Sequence, residues 1–378
     1  MQYREIGKTG CKASVIGLGG EHLDGRSYEQ VTDTIGAALD CGINIIDVFM
    51  PGHEVRTNIA KALGSRRDQV MVQGHIGSTD VNQQYDICRD LPTAQRYFED
   101  ILRAFGYIDF GMMFFIDSEE DYRGVFETGF VQYVQRLKQQ GDIRHIGFSS
   151  HNPLMATRVI ETGVPEMMMF SINAAFDLIP AETDVLDQLE KLDAKAFHGV
   201  DPQRAALYKL CEQRGVGITV MKTLGAGKLI SAAHTPFAKP MTVEQCVHYA
   251  LTRPAVASVL LGCKTGDEIR AAMHYFEVDD AARDYSEVLG TLRNDFKGNC
   301  VYCGHCQPCP VGIDIAAVNK YLDIARLDEG NIPPSIRSHY QALEQTGDAC
   351  IGCGRCQERC PFGVPVIENM VAAHKLLG

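Results

Sequence analysis

Two runs of cysteine near the carboxyl terminus constrain this chain of 378 residues more than any other feature. The later run reads C-x2-C-x2-C-x3-C-P, which is the ligand spacing of bacterial ferredoxins. The earlier run has the same pattern, shortened by one residue before its last cysteine. We therefore predict two [4Fe-4S] clusters, whose ligands are the thiolates of Cys300, Cys303, Cys306, Cys309, Cys350, Cys353, Cys356 and Cys360.

Disulfides and zinc are the other interpretations of closely spaced cysteines. Disulfides are disfavoured because the N-terminus lacks the apolar core of a signal peptide and the chain is large enough to fold without them. Structural zinc also uses C-x2-C pairs. It does not explain three cysteines at two-residue spacing that are followed by a fourth before a proline, Pro310 or Pro361.

The ferredoxin pattern also predicts how the two runs share their clusters, because the fourth cysteine of each run ligates the other cluster. The crossed sets are Cys300, Cys303, Cys306 and Cys360 for one cluster, and Cys350, Cys353, Cys356 and Cys309 for the other.

Composition narrows the classes of partner. The net charge of −12 argues against nucleic acid and anionic membranes, which both need clustered Lys and Arg. The longest apolar stretches have the length of strands, so no transmembrane helix is expected. We expect a cytoplasmic protein whose acidic surface could receive a redox protein.

The residues before the cysteines alternate between strand-like and helix-like segments. Eight apolar runs are candidate strands, at 15–18, 43–48, 70–76, 110–116, 145–150, 167–173, 217–222 and 258–262. Eight strands that alternate with helices predict a (β/α)8 TIM barrel over residues 1–290. Residues 291–378 would then form a mostly α-helical ferredoxin-like domain. A doubly wound sheet is less suitable, because residues 17–20 lack the G-x-G-x-x-G spacing.

One connection is unusually long. Residues 177–200 separate the sixth strand from its helix and include an amphipathic stretch at 185–192. Long connections are often functional, and in a barrel this one would emerge at the face that carries active sites. We expect it to cover the substrate.

Several motifs resemble the aldo-keto reductases. They are YREIGKTG at 3–10, GINIID at 42–47 and LKQQGDIRHIGFS at 137–149. The resemblance covers about residues 1–280, and the cysteine tail resembles the branch of that family fused to a ferredoxin-like domain.

The resemblance implies hydride transfer from NADPH to a carbonyl by an Asp, a Tyr, a Lys and a His. The aspartate position falls on Asp47, whereas the tyrosine, lysine and histidine positions fall on Gly52, His75 and Phe114. Three of the four catalytic identities are therefore changed.

The strand ends nevertheless carry other groups that can transfer protons. We predict a rebuilt acid–base site from Asp47, His75, His53 and His22, with Glu21, Ser150 and His151 nearby. A metal held by two or three of these histidines is an alternative, although no H-x-H or H-x3-H pair supports it. The third interpretation is that these histidines are isolated polar residues on loops and form no common site.

For nucleotide binding, the resemblance implies that Ser149, Ser150 and Asn173 hold the nicotinamide, and that Lys222 supports the pyrophosphate. Lys264 and Thr265 match residues that hold the 2′-phosphate of NADP(H). A flavin would connect the two-electron chemistry of nicotinamide with the one-electron chemistry of the clusters. The sequence leaves a flavin open, although no flavin fingerprint is visible.

These features predict an iron–sulfur oxidoreductase. It would move electrons between a carrier, either ferredoxin-like or NADP(H), and a small organic substrate at the barrel mouth. Two alternatives stay open: a catalytically silent barrel that acts as an electron-transfer or interaction subunit, and a non-redox lyase or isomerase with structural clusters.

Overall fold

The computed structural model describes residues 1–82, 84–183, 200–290 and 296–378. Its strands are β1 (Tyr3–Glu5), β2 (Lys12–Ser14), β3 (Ile16–Gly19), β4 (Ile45–Val48), β5 (Met71–Ile76), β6 (Ser78–Val81), β7 (Gln84–Ile87), β8 (Ile108–Met113), β9 (Ile143–Ser150), β10 (Met167–Ser171), β11 (Gly217–Met221) and β12 (Val256–Leu261).

Eight of these strands form a closed parallel barrel in the order β3-β4-β5-β8-β9-β10-β11-β12, and β12 pairs with β3 to complete it. Every strand segment that we predicted contributes a barrel strand, and each end lies within three residues of its predicted position. The predicted (β/α)8 fold is confirmed.

The barrel helices alternate with the strands. They are α1 (Tyr28–Asp40), α2 (His53–Leu63), α3 (Leu91–Phe105), α4 (Glu119–Phe126), α5 (Phe130–Gln140), α6 (Pro153–Glu161), α7 (Pro202–Arg214), α8 (Val243–Leu251) and α9 (Gly266–Ala272). Local sequence sets their ends. Ser27 and Gln30 form a capping box that begins α1, and Gly141 and Gly215 end α5 and α7 in the left-handed conformation that glycine favours.

Methionine fills much of the barrel interior. Met112, Met167, Met169 and Met221 pack in one buried cluster with Phe110. Met is flexible enough to fill irregular space. The carboxyl ends of the strands meet above this layer at one face, where TIM-barrel active sites lie.

Two antiparallel hairpins flank the barrel. The β1–β2 hairpin precedes β3 at the amino-terminal face, where Lys8 donates its backbone N–H to Gly215 O. The β6–β7 hairpin is inserted between β5 and α3 at the carboxyl face and was not predicted from the sequence. Val81, Tyr85 and Ile87 of this second hairpin are exposed.

Helices also dominate the C-terminal region, which contains α10 (Asp280–Arg283), α11 (Ser286–Leu289), α12 (Ile315–Ala325), α13 (Pro334–Gln341), α14 (Arg355–Arg359) and α15 (Val366–Leu377). Helices α12 and α15 pack together, and the buried side chains of Asn319 and Asn369 are hydrogen-bonded at 2.7 Å between them.

The cysteine domain contacts the barrel near its amino-terminal face. Arg253 follows α8 and donates a hydrogen bond to Val301 O at 2.6 Å. Glu212, near the end of α7, pairs with His339 at 3.2 Å. Both helices end at the amino-terminal face, so these contacts lie opposite the barrel mouth.

Two sequence predictions fall partly outside the described residues. The amphipathic stretch at 185–192 lies within 184–199, and the domain boundary at 290/291 adjoins 291–295; neither segment is described. No helix in the described part of the chain is long and apolar enough to cross a membrane.

Candidate active site and cluster domain

Asp47 and His75 form a buried pair at the barrel mouth. His75 Nε2 lies 2.8 Å from Asp47 Oδ1, and each residue is 1% exposed. Gln73 Nε2 donates to the same oxygen at 3.0 Å. The pair forms because β4 and β5 are neighbouring parallel strands in which Asp47 is in register with Gln73.

The other ring nitrogen of His75 is a buried polar atom without a hydrogen bond among the described residues. An unsatisfied buried polar group costs about 1–3 kcal/mol, so a native protein retains one for a reason. A carboxylate on one imidazole nitrogen fixes the orientation of the ring, which leaves the other nitrogen to exchange a proton.

Aromatic rings surround His75. Phe114 meets it edge to face, with centroids 5.3 Å apart, and Phe49 does so at 6.1 Å. Tyr85 reaches over from the β6–β7 hairpin and packs on Phe49 at 5.1 Å. Tyr85 is exposed overall, but partial burial of its ring, together with the negative charge of Glu21, raises the pKa of its phenol. Tyr85 is the residue at this mouth that the sequence reasoning missed, because the hairpin was not predicted.

Arg89 holds the loop that carries Phe114. Its guanidinium donates to Phe114 O at 2.8 Å and to Phe115 O at 2.6 Å, and it pairs with Asp121 at 2.9 Å. Phe115 has a φ of +33°, which is costly for a residue with a side chain. The loop is therefore held in a strained shape by a partly buried cation.

Within the described residues, neither of the other two predicted histidines is hydrogen-bonded to Asp47 or His75. His53 begins α2, is exposed, and bonds through Nδ1 to Asp100 of α3 at 2.8 Å. His22 is also exposed and lies over Gly262 at the end of β12. His53 was grouped with the site because it is near Asp47 in sequence, but its ring turns outward to α3.

A second charged pair spans the barrel mouth. Lys222, which follows β11, has a left-handed φ of +61°, and its Nζ lies 4.0 Å from Glu21 beyond β3. Both side chains are partly exposed, so the pair contributes little stability.

The side chains predicted to hold the nicotinamide make internal hydrogen bonds. Ser149 Oγ accepts the Phe115 N–H at 2.9 Å, and Ser150 Oγ donates to Asp117 at 2.7 Å. Asn173 donates to Lys222 O at 2.8 Å and accepts backbone N–H groups from two following residues. All three side chains are buried, and each ties one mouth loop to the next.

Carboxylates occupy the predicted 2′-phosphate site. Lys264 and Thr265 are exposed after β12. However, Gly266 N donates to Asp33 at 3.0 Å, and Lys264 N donates to Glu268 at 2.6 Å. A phosphate at this position would have to displace two carboxylates from these N–H groups.

The eight cysteines of the two runs line two cavities. Cys309, Cys350, Cys353 and Cys356 line one of them. Cys300, Cys303, Cys306 and Cys360 line the other. This grouping is the crossed arrangement of the ferredoxin rule. Each cavity offers four soft thiol donors and apolar walls, a donor set that fits a [4Fe-4S] cluster.

Burial shapes the chemistry of these thiols. It raises the pKa of Cys303 and Cys306 to about 12, so both are neutral before metal binds. Iron must therefore displace protons, and loading is expected to be pH-dependent. Among residues 1–82, 84–183, 200–290 and 296–378, no group of three or more His, Cys, Asp or Glu side chains could hold a single metal ion.

A parallel (β/α)8 barrel, followed by a domain with two cysteine-lined cavities, defines a TIM-barrel protein with an iron–sulfur module. The model of the Aldo/keto reductase family matches residues 15–245, and that of the 4Fe-4S dicluster domain matches residues 297–364. The chain belongs to the aldo/keto reductase family, and the predicted fusion to a ferredoxin-like domain is confirmed.

Several known proteins share this barrel. A Bacillus subtilis protein named uncharacterized oxidoreductase YqkF is 23% identical over 319 residues, which cover 81% of this chain and 99% of the relative. The holo form of the aldo-keto reductase AKR11C1 from Bacillus halodurans has a TM-score of 0.58 at 17% identity, covering 76% of this chain and 95% of its own. The PA4992 protein from Pseudomonas aeruginosa has a TM-score of 0.54 at 17% identity, with 73% and 95% covered. These structural likenesses show the shared fold.

Proposed function

We propose that this chain is an iron–sulfur oxidoreductase that exchanges electrons with a small organic substrate at the barrel mouth. The Asp47–His75 pair carries the proposal, because it is a buried acid–base pair where barrel active sites lie. His75 Nδ1 transfers a proton to or from the substrate, while Asp47, itself bonded to Gln73, holds the ring in place. Tyr85 packs on Phe49 beside this pair.

The two cysteine quartets hold the iron–sulfur clusters in this proposal. When bound, such clusters supply or accept single electrons. The protein's own part is to surround them with apolar side chains, including Ile313, Val364 and Met370, which limit contact with water.

A ferredoxin-like redox protein is the preferred carrier, and the acidic chain suits a basic partner. NADP(H) is the second carrier, supported by family membership. The internal bonds of Ser149, Ser150 and Asn173, and the carboxylates of Asp33 and Glu268, favour the one-electron carrier.

One observation favours a second candidate function. The cysteine domain contacts the barrel through Arg253 and Glu212, opposite the mouth. Structural clusters attached to a non-redox lyase or isomerase would fit that placement, with Asp47 and His75 performing acid–base chemistry alone.

The test uses anaerobically purified protein with its full complement of iron and sulfide. Aldehydes, ketones and conjugated enals are offered with reduced methyl viologen, with NADPH, or with no reductant. We expect turnover with the viologen, and a His75→Gln variant should lose about 10²–10⁴-fold in kcat. His53→Gln is the matched control and should keep full activity. Full activity of His75→Gln would overturn the site, and turnover without any reductant would favour the lyase or isomerase.

A further inference from the structure

A second aspartate–histidine pair lies beside the first. His151 Nδ1 is 2.8 Å from Asp117 Oδ2, and His151 is 4% exposed. The other ring nitrogen, Nε2, is buried and has no hydrogen bond in the part of the chain that the structure describes. His151 therefore repeats the arrangement of His75, with one nitrogen fixed by a carboxylate and the other unpartnered.

The carboxylate of Asp117 is built into its loop. Its Oδ1 accepts the Ser150 hydroxyl at 2.7 Å and the His151 N–H at 2.5 Å, and Asn152 N is 3.3 Å away. Burial alone would raise the pKa of Asp117, but the hydrogen bonds from His151 and Ser150 outweigh it and the pKa is lowered. The anion is thus maintained beside His151, as an orienting group requires.

Two phenylalanine rings connect the pairs. His75 meets Phe114 at 5.3 Å, Phe114 stacks on Phe115 at 4.0 Å, and Phe115 meets His151 at 4.5 Å. Tyr85 packs across both phenylalanines, at 6.1 Å and 6.4 Å. One continuous row of aromatic rings therefore runs through His75, Phe114, Phe115 and His151, with an imidazole at each end.

We infer that His151 is a second acid–base group of the same site, and that the substrate is a planar conjugated molecule such as an α,β-unsaturated carbonyl compound. This inference rests on the proposed function. A flat π-system matches the aromatic row, because offset or edge-to-face ring contacts are favourable. A conjugated substrate long enough to lie along the row would meet one proton donor at each end, which suits reduction across the whole conjugated chain better than reduction of an isolated carbonyl.

The reaction balances without a hydride donor. The conjugated carbonyl compound takes up two electrons from two molecules of a reduced one-electron carrier of the ferredoxin class. One imidazolium N–H bond breaks as an O–H bond forms at the carbonyl oxygen, and the other breaks as a C–H bond forms at the far carbon of the conjugated chain. The resulting enol converts to the reduced carbonyl compound, and both imidazoles regain a proton from water.

Binding can be tested without turnover. Anaerobic holoprotein labelled with ¹⁵N in its histidine rings is titrated with trans-cinnamate, a planar conjugated probe, and with its flexible saturated counterpart 3-phenylpropanoate. We expect cinnamate to shift the ring signals of both His75 and His151 and to bind at least tenfold more tightly than the saturated acid. His53 is the internal control and should not respond.

Signals are assigned with His75→Gln and His151→Gln variants. A response of His75 without His151, or equal affinity for the two acids, would overturn the inference.

Asp117→Asn tests the positioning role. The change should alter the tautomer of His151 seen in the ¹⁵N spectrum and lower kcat at least tenfold, while KM stays within about twofold. An unaltered His151 spectrum, or an unaltered kcat in His151→Gln, would overturn the inference while leaving a His75-dependent reductase intact. If both histidines respond to cinnamate but no reductant supports turnover, the proposed function fails and the shared binding site stands.

Discussion

Ile315 and Val366 each line both cysteine-lined cavities. They are the first residues of α12 and α15, and each is 2% exposed. Each helix begins shortly after one cysteine run, so the two residues form an apolar wall that the two cavities share.

Ile315→Ala should affect both clusters together. The truncation leaves a cavity in the shared wall, costs about 2–5 kcal/mol of unfolding free energy, and admits polar solvent that raises both reduction potentials. Potentiometric titration followed by electron paramagnetic resonance measures the two potentials. Ile351→Ala is the control, because Ile351 is exposed and lines one cavity only. A shift in a single potential in Ile315→Ala would show that the wall is not shared.

Arg89→Met should loosen the strained loop at the barrel mouth. It removes the donor to Phe114 O and Phe115 O and leaves Asp121 without its partly buried cation, at a cost of about 3 kcal/mol. Urea unfolding measures the loss, and hydrogen exchange at the Phe115 amide should accelerate. The control is Arg123→Met, whose exposed pair with Glu119 should cost less than about 1 kcal/mol. Equal losses in the two variants would contradict the special role of Arg89.

His248 should make the barrel less stable in mild acid. Burial, with the positive charges of Arg283, Arg4 and Arg253, lowers its pKa to about 4, below the value of about 6.5 in the unfolded chain. The unfolded state therefore binds the extra proton first, and the unfolding free energy should fall by about 2 kcal/mol from pH 7 to pH 5.

The measurement is urea unfolding at several pH values, compared between the native protein and His248→Gln. The variant should lose this part of the pH slope. His53→Gln, which changes an exposed histidine, should retain it. An identical slope in all three proteins would refute the assignment to His248.

The fold could be predicted from the sequence because its signals are local and repeated. Apolar runs of strand length and helix-ending glycines such as Gly141 mark each unit of the barrel. The cysteine spacing likewise predicts which thiols share a cavity, since the ligand pattern is encoded in adjacent residues.

The site could be predicted only where strand register determines it. Asp47 and His75 end neighbouring strands, so their meeting follows from the fold. Tyr85 depends on a short polar hairpin whose alternation is weak, and the Asp117 contact depends on how a loop turns after β8. His53 shows the converse, because closeness to Asp47 in sequence does not determine which way a ring at the start of a helix points.

The hydrogen bond between Arg253 and Val301 O couples the stability of the barrel to the cysteine domain. Val301 lies between Cys300 and Cys303, so a bound cluster fixes the carbonyl that accepts a hydrogen bond from a buried barrel cation. If iron is lost, this hydrogen bond is expected to weaken, at a cost of about 1 kcal/mol, while Arg253 keeps the hydroxyl oxygens of Thr252 and Tyr285 as acceptors. Loss of iron is therefore expected to lower the stability of the barrel as well as that of the cysteine domain, because this hydrogen bond joins the two.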